Sequence, residues 1–170
     1  GLIEVFTYGA DGFKELPVGS DNTGFEKTDL LLKFGHTFGK NDAHSLELKI
    51  KYSDEKSDET YMGLTEEDYK SNPNRRYAAS QNDEMNTRHN AYQLNYAYQF
   101  GEGYELLATA YLNDFHRNWY KASSVGTSTL EQYSEFEANP TSEGIEGVAV
   151  KANNRDYQAK GLQTEFHIPA

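Results

Sequence analysis

The chain of 170 residues has no cysteine, which excludes a disulfide framework and any thiolate metal site. It has no apolar run approaching the about 18 residues of a membrane-crossing helix, so no segment of it crosses a bilayer in that form. Basic residues are in deficit. Sixteen Lys and Arg against 27 Asp and Glu leave a net charge of -11, the opposite of the basic stripe that nucleic-acid binding requires. Residues Gly1–Tyr8 contain no basic segment followed by an apolar stretch, so no signal peptide is expected there. An exported protein would then be seen here as mature chain or as an internal piece.

These absences leave one route into a membrane open. A spanning β-strand needs only ~9–11 residues, apolar at alternate positions, so a barrel can have the composition of a soluble protein. The mean hydropathy of -0.84 therefore does not decide the compartment. What the chain has in quantity is aromatic side chains, 13 Tyr and 9 Phe against one Trp. Aromatics favour strands and also collect where a barrel meets the membrane interfaces.

Alternation with a period of two dominates. Leu30, Leu32, Phe34, His36 and Phe38 form one row of a strand over 25–38. Leu46, Leu48, Ile50 and Tyr52 form a second, against Glu47, Lys49 and Lys51. Tyr92, Leu94, Tyr96, Tyr98 and Phe100 form a third, and Tyr104, Leu106, Ala108, Ala110 and Leu112 a fourth. Leu162, Phe166 and Ile168 mark a last strand, and Leu2–Gly9 a weaker opening one. The expectation is an all-β chain of six antiparallel up-and-down strands.

Their connections alternate in length. Those at 39–43 and 101–103 are tight, whereas 14–24, 53–88 and 114–156 are long. Short turns at one end and long loops at the other are how bacterial outer-membrane barrels are built. Half-buried strands of a soluble antiparallel sheet would alternate in the same way. Within 53–88, Thr65 followed by Glu66, Glu67 and Asp68 predicts a short helix, with Pro73 ending it.

The loop also carries a family likeness. The run Ser57-Asp-Glu-Thr-Tyr-Met-Gly-Leu-Thr65 and the run Asn72-Pro-Asn-Arg-Arg-Tyr-Ala-Ala-Ser80 resemble TonB-dependent outer-membrane receptors, in particular the ferric-dicitrate receptor-like branch. Asp11–Leu16, Thr23–Asp29 and Tyr111–Lys121 resemble the same branch. The resemblance implies an internal fragment, about six strands of a 22-strand transmembrane barrel in the bacterial outer membrane. The plug, and the segment through which such receptors engage TonB, lie outside this chain. It also implies active uptake of a ferric chelate, a siderophore or ferric citrate, with outer-membrane lipid and lipopolysaccharide as surroundings. A diffusion porin, a surface adhesin and a soluble β-protein that only binds are the alternatives.

No residue pattern supports catalysis, and no cofactor is expected. The five histidines are scattered, without a His-Glu-x-x-His motif. Asp54, Glu55, Asp58 and Glu59 lack the spacing of a known calcium loop and read as a solvated acidic stretch. Arginines carry more weight, because an anionic chelate presents carboxylates that guanidinium forks bind bidentately. Arg75 and Arg76 sit together where nine acids face four bases between Asp54 and Glu84. Arg117 shares a row with Glu105, Thr109 and Asn113, opposite the Leu106 and Leu112 row, and Lys121 continues it. These four are the candidate substrate-binding residues. Arg88 shares the Tyr92 and Leu94 row, which suits a lipopolysaccharide phosphate.

Overall fold

The computed structural model describes residues 1–17, 23–129, 132 and 147–169. Within them the chain forms one open antiparallel sheet of seven strands. They are β1 (Leu2–Ala10), β2 (Phe25–Phe38), β3 (His44–Ser57), β4 (Glu84–Phe100), β5 (Tyr104–Val125), β6 (Ser128–Thr129) and β7 (Val148–His167). Strands β1 to β5 lie side by side in chain order, and β7 pairs with β5 along nearly its whole length. The two-residue β6 therefore takes the other edge of β5, beyond the last β4 pair at Tyr120. No helix of the described residues is long and apolar enough to cross a membrane, which says nothing about crossing by strands.

The register turns the apolar rows into a continuous surface. Ile3 pairs with Leu32, Leu32 with Ile50, Ile50 with Tyr92 and Tyr92 with Leu112. One row nearer the tight turns, Phe34, Leu48, Leu94, Ala110 and Leu162 are consecutive partners. Because strand side chains alternate faces, a register slip of one residue would scatter this surface. The opposite face is polar. Lys27 reaches Glu55 at 3.3 Å and Lys33 reaches Glu47 at 3.3 Å across strands, and Asn95 accepts from Thr109 at 3.0 Å.

At the tight-turn end the apolar face finishes in a line of stacked rings. Phe38 lies 5.0 Å from His44, His44 4.3 Å from Tyr98, Tyr98 5.0 Å from Phe100, and Phe100 5.8 Å from both Tyr104 and Phe166. His44 Nδ1 and Tyr96 Oη are hydrogen-bonded at 2.8 Å. The turns that bring these rings together need positive φ, met by Gly39, Asn41 and Asp42 in one and by Gly101 and Gly103 in the other. All the long connections leave from the other end.

The strands run further than side-chain alternation indicated, so the expected loops 53–88 and 114–156 are too long. Ser53 to Ser57 pair with His89 to Met85, β5 continues to Val125, and β7 begins at Val148. Polar residues such as Asp54, Asn86 and Asn118 carry the ladder on, because backbone pairing needs no apolar side chain. The β1–β2 connection begins at Asp11 and passes through Gly24, where an added Cβ would fall 1.6 Å from the Ala10 carbonyl oxygen. The expected helix is present as α1, Glu66–Ser71, and Thr65 caps it by accepting from the Asp68 N–H at 3.2 Å.

Candidate functional site

The loop of residues 58–83 holds the deepest burial among the described residues. Arg76, Tyr77, Ala78, Ala79, Ser80 and Asp83 are all buried, and Ala122 of β5 closes the same core. Arg76 binds the loop to itself. Its Nε donates to Ser80 Oγ at 3.0 Å and its Nη2 to the Ser80 carbonyl at 2.6 Å. It also donates to the carbonyls of Asp58 and Asp83. Burial pushes this guanidinium's pKa down, with the charges of Asp83 and Asp58 opposing.

Asp83 fastens that core to the sheet. Its carboxylate accepts the Ala122 N–H at 2.6 Å and the Thr60 hydroxyl at 2.8 Å. Burial raises its pKa, with these hydrogen bonds and Arg76 opposing. Two more contacts reach β5. Trp119 Nε1 donates to the Glu59 carbonyl at 3.4 Å and the indole meets the Tyr61 ring edge-on at 5.9 Å. Lys121 Nζ sits 3.8 Å above the Tyr61 ring and 5.1 Å from that of Trp119.

A second network holds α1. Asp68 accepts from Tyr77 Oη at 2.6 Å, from Thr65 Oγ1 at 3.0 Å and from Arg75 Nη1 at 3.0 Å. The Tyr77 hydrogen bond is the main reason its carboxyl pKa falls below the ordinary value. The β1–β2 connection joins this assembly through Glu15. Its N–H donates to the Asn74 carbonyl at 2.8 Å, and its own carbonyl accepts from the Arg76 N–H at 2.8 Å. A cleft of about 460 Å³ lies between Lys14 and Met62, Leu64, Tyr69 and Pro73.

The candidate residues therefore separate into two groups. Arg75 and Arg76 belong to the loop, one paired with Asp68 and the other buried with its donors occupied. Arg76, expected as a ligand contact, directs its N–H groups to loop carbonyls and Ser80. Arg117 and Lys121 stand on β5, on the polar face. Asp83, through Ala122, is the bond that links the groups. Arg88 is exposed on the apolar-row face, two rows beyond Tyr92, in register with Asp54 and His116. The acidic stretch does not converge: Asp54 and Glu55 point to opposite faces of β3, and Lys27 engages Glu55. Among the described residues no group of three His, Asp or Glu is placed to hold a metal ion.

No protein-family model, curated protein or solved structure matches the chain. The chemistry of the site rests on its own residues.

Asp83 and Tyr61 were not singled out from sequence, yet they carry the docking of the loop. Asp83 precedes β4 by one residue in a polar stretch with no periodic signal. A cue was present in Tyr77-Ala78-Ala79-Ser80, where small apolar residues after an Arg pair suit a packed core better than a solvated loop.

Proposed function

We propose that this sheet is a sector of the wall of a bacterial outer-membrane β-barrel, belonging to a TonB-dependent receptor that takes up a ferric chelate. The observation that carries the reading is the apolar face. It extends over six strands, broken on β7 by Lys160 opposite Leu112, no described element covers it, and it ends in an aromatic row at the tight-turn end. Contiguous apolar surface of this extent is costly in water, and Leu48, Leu94 and Leu162 are 37%, 41% and 71% exposed. Lipid removes that cost, and ring systems suit its interface. The polar face then lines the lumen, and the long loops meet the outside.

In this reading the loop of residues 58–83 is a docked cap over the lumen side of β5. Arg75 and Arg76 hold it in shape, while Arg117 and Lys121 face the ligand. Arg88 lies above the lipid band, within reach of lipopolysaccharide phosphates.

Uptake of radiolabelled ferric citrate by cells expressing the protein that contains this chain, with and without a functional TonB, tests the reading. TonB-dependent accumulation is the expected result. Passive, energy-independent entry would make the barrel a porin, and recovery of the protein in the soluble fraction would remove the membrane assignment.

A further inference from the structure

Two pairs of like charges face each other on the polar side of β5 and β7. Arg117 is the register partner of Arg155, and Lys121 that of Lys151. Antiparallel partners hold their Cβ atoms ~4.5–5.5 Å apart, and like charges so placed repel. No carboxylate of β5 or β7 relieves them on that face, and Asp83, next to Lys121 beyond the end of β4, is engaged by the Ala122 N–H, Thr60 and Arg76. From Leu107 to Lys121 and from Lys151 to Gln163 the same-face positions are neutral or basic. The acids of this stretch point the other way, where Asp156 pairs with His116 at 2.7 Å and Asp114 accepts from Gln158 at 2.8 Å. On β4 the facing positions Met85, Thr87 and His89 carry no acid, and Glu55 of β3 is held by Lys27.

In a chain of net charge -11 this is a local inversion of sign. Arg117 Nε is moreover a buried donor with no hydrogen-bond partner, a costly condition that an incoming acceptor relieves. Trp119 lies on the same face between the two cation pairs, and Arg155 Nη1 reaches Tyr157 Oη at 3.5 Å.

We propose that Arg117, Arg155, Lys121 and Lys151 form a binding site for a compact polyanion, one that presents several carboxylate or phosphate oxygens. Arg117 and Arg155 supply bidentate forks, and Lys121 and Lys151 supply point charges two repeats of the pleat, about 13 Å of strand, further out. The site reads the oxygens of the ligand, so a metal held by those oxygens is not required for recognition. It deepens the uptake reading and rests on it for the identity of the cargo, though not for the charge it selects.

The test is calorimetric titration of the whole detergent-purified protein at fixed ionic strength. The probes are citrate, inorganic phosphate, ferric citrate and a neutral ferric trihydroxamate. Citrate and ferric citrate should both bind, and more weakly as salt is raised. Arg155→Glu should weaken them by about tenfold to a hundredfold. Its melting temperature should hold or rise, because the introduced carboxylate faces Arg117. Lys151→Gln should weaken binding in the same direction. Undiminished binding in Arg155→Glu, or a lowered melting temperature in it, overturns the site. So does a parent protein that ignores citrate, phosphate and ferric citrate. Binding of the neutral trihydroxamate alone removes the polyanion site and leaves uptake standing. Anion binding without TonB-dependent accumulation keeps the site and removes uptake. Phosphate binding in preference to citrate assigns the ligand to the phosphate class.

Discussion

Tyr77, Ala78 and Ser80 of the loop are 1%, 0% and 0% exposed, whereas Ile3, Val5 and Leu162 of the sheet are 68%, 64% and 71% exposed. The usual arrangement, apolar strands inside and polar loop outside, is inverted. The loop closes on itself around Arg76 and Asp83, satisfying buried polar groups with its own carbonyls and hydroxyls. Among the described residues it is joined to the sheet through the Ala122 N–H and the Trp119 and Lys121 contacts, and to the β1–β2 connection through Glu15. The sheet satisfies its backbone between neighbouring strands, with β1 and β7 left as open edges, yet leaves one whole face without a partner of its own. A region whose polar groups are satisfied internally can stand in water, and a region whose backbone is satisfied while its side chains are apolar can stand in lipid. That division is what a wall carrying an extracellular cap requires.

The largest effect should come from breaking the sheet's side of this contrast. Leu48 lies in the middle of the apolar face, between Phe34 and Leu94. Leu48→Arg should cost about 2–4 kcal/mol when folding is measured in bilayers, if that row lies near the midplane. The same substitution at Lys49, its neighbour on the polar face, should cost almost nothing. Equal and small losses at both positions would place both faces in water and end the lipid assignment.

Next comes the loop's clamp. Asp83→Ala leaves the Ala122 N–H and the Thr60 hydroxyl without their acceptor, at a cost of about 2–3 kcal/mol in loop docking. Asp83→Asn keeps an acceptor for Ala122 and should recover most of that loss. Trp119, the single tryptophan of the chain, touches Glu59 and Tyr61 and so reports docking by its fluorescence. Identical emission in Asp83→Ala and the parent would show that the loop docks without the clamp.

Much of the sheet was legible in the sequence, and the reason is physical. Rows such as Leu46, Leu48 and Ile50 announce both the period and the face, and Gly39 and Gly101 mark where the chain must turn. The polar continuations were not legible, since Asn86, Asn118 and Asn154 pair through backbone groups that every residue has. The site was legible by half. Charge and row placed Arg117 and Lys121 on the polar face. They did not reveal Arg155 and Lys151, because the β7 partners of that row are set by a register that only the fold supplies. The partners of Arg76 were hidden for a related reason: an arginine in an acidic loop looks free until the carbonyls that take its hydrogens are known.

A smaller effect is expected at the helix cap. Thr65 accepts the Asp68 N–H and donates to the Asp68 carboxylate, so Thr65→Ala should cost about 1 kcal/mol. Thr65→Ser should cost less than half as much. The loss should appear as faster proteolysis of residues 58–83 with the strands untouched, and coupled loss of both regions would contradict a self-contained loop.

The smallest effect is a dependence on pH in which two carboxyls of the same loop act with opposite sign. Asp68 has its carboxyl pKa lowered by the Tyr77 hydrogen bond, so folding favours its ionised form. Its contribution is fully present above the ordinary carboxylate range and is lost as the pH falls through the lowered value. Asp83 has its pKa raised by burial, so the docked loop holds that proton more tightly than the undocked one. Its contribution is largest below the ordinary carboxylate value and declines as the pH rises through the raised one. Docking, followed by Trp119 fluorescence during thermal melts, should therefore firm slightly on mild acidification from neutrality and weaken in stronger acid. Asp83→Asn should abolish the first change and Asp68→Asn the second. A parent profile that only declines as acid is added, and that Asp83→Asn leaves unaltered, would mean that Asp83 is as solvated as the carboxylates on the strands, and that the buried core assigned to this loop does not exclude water.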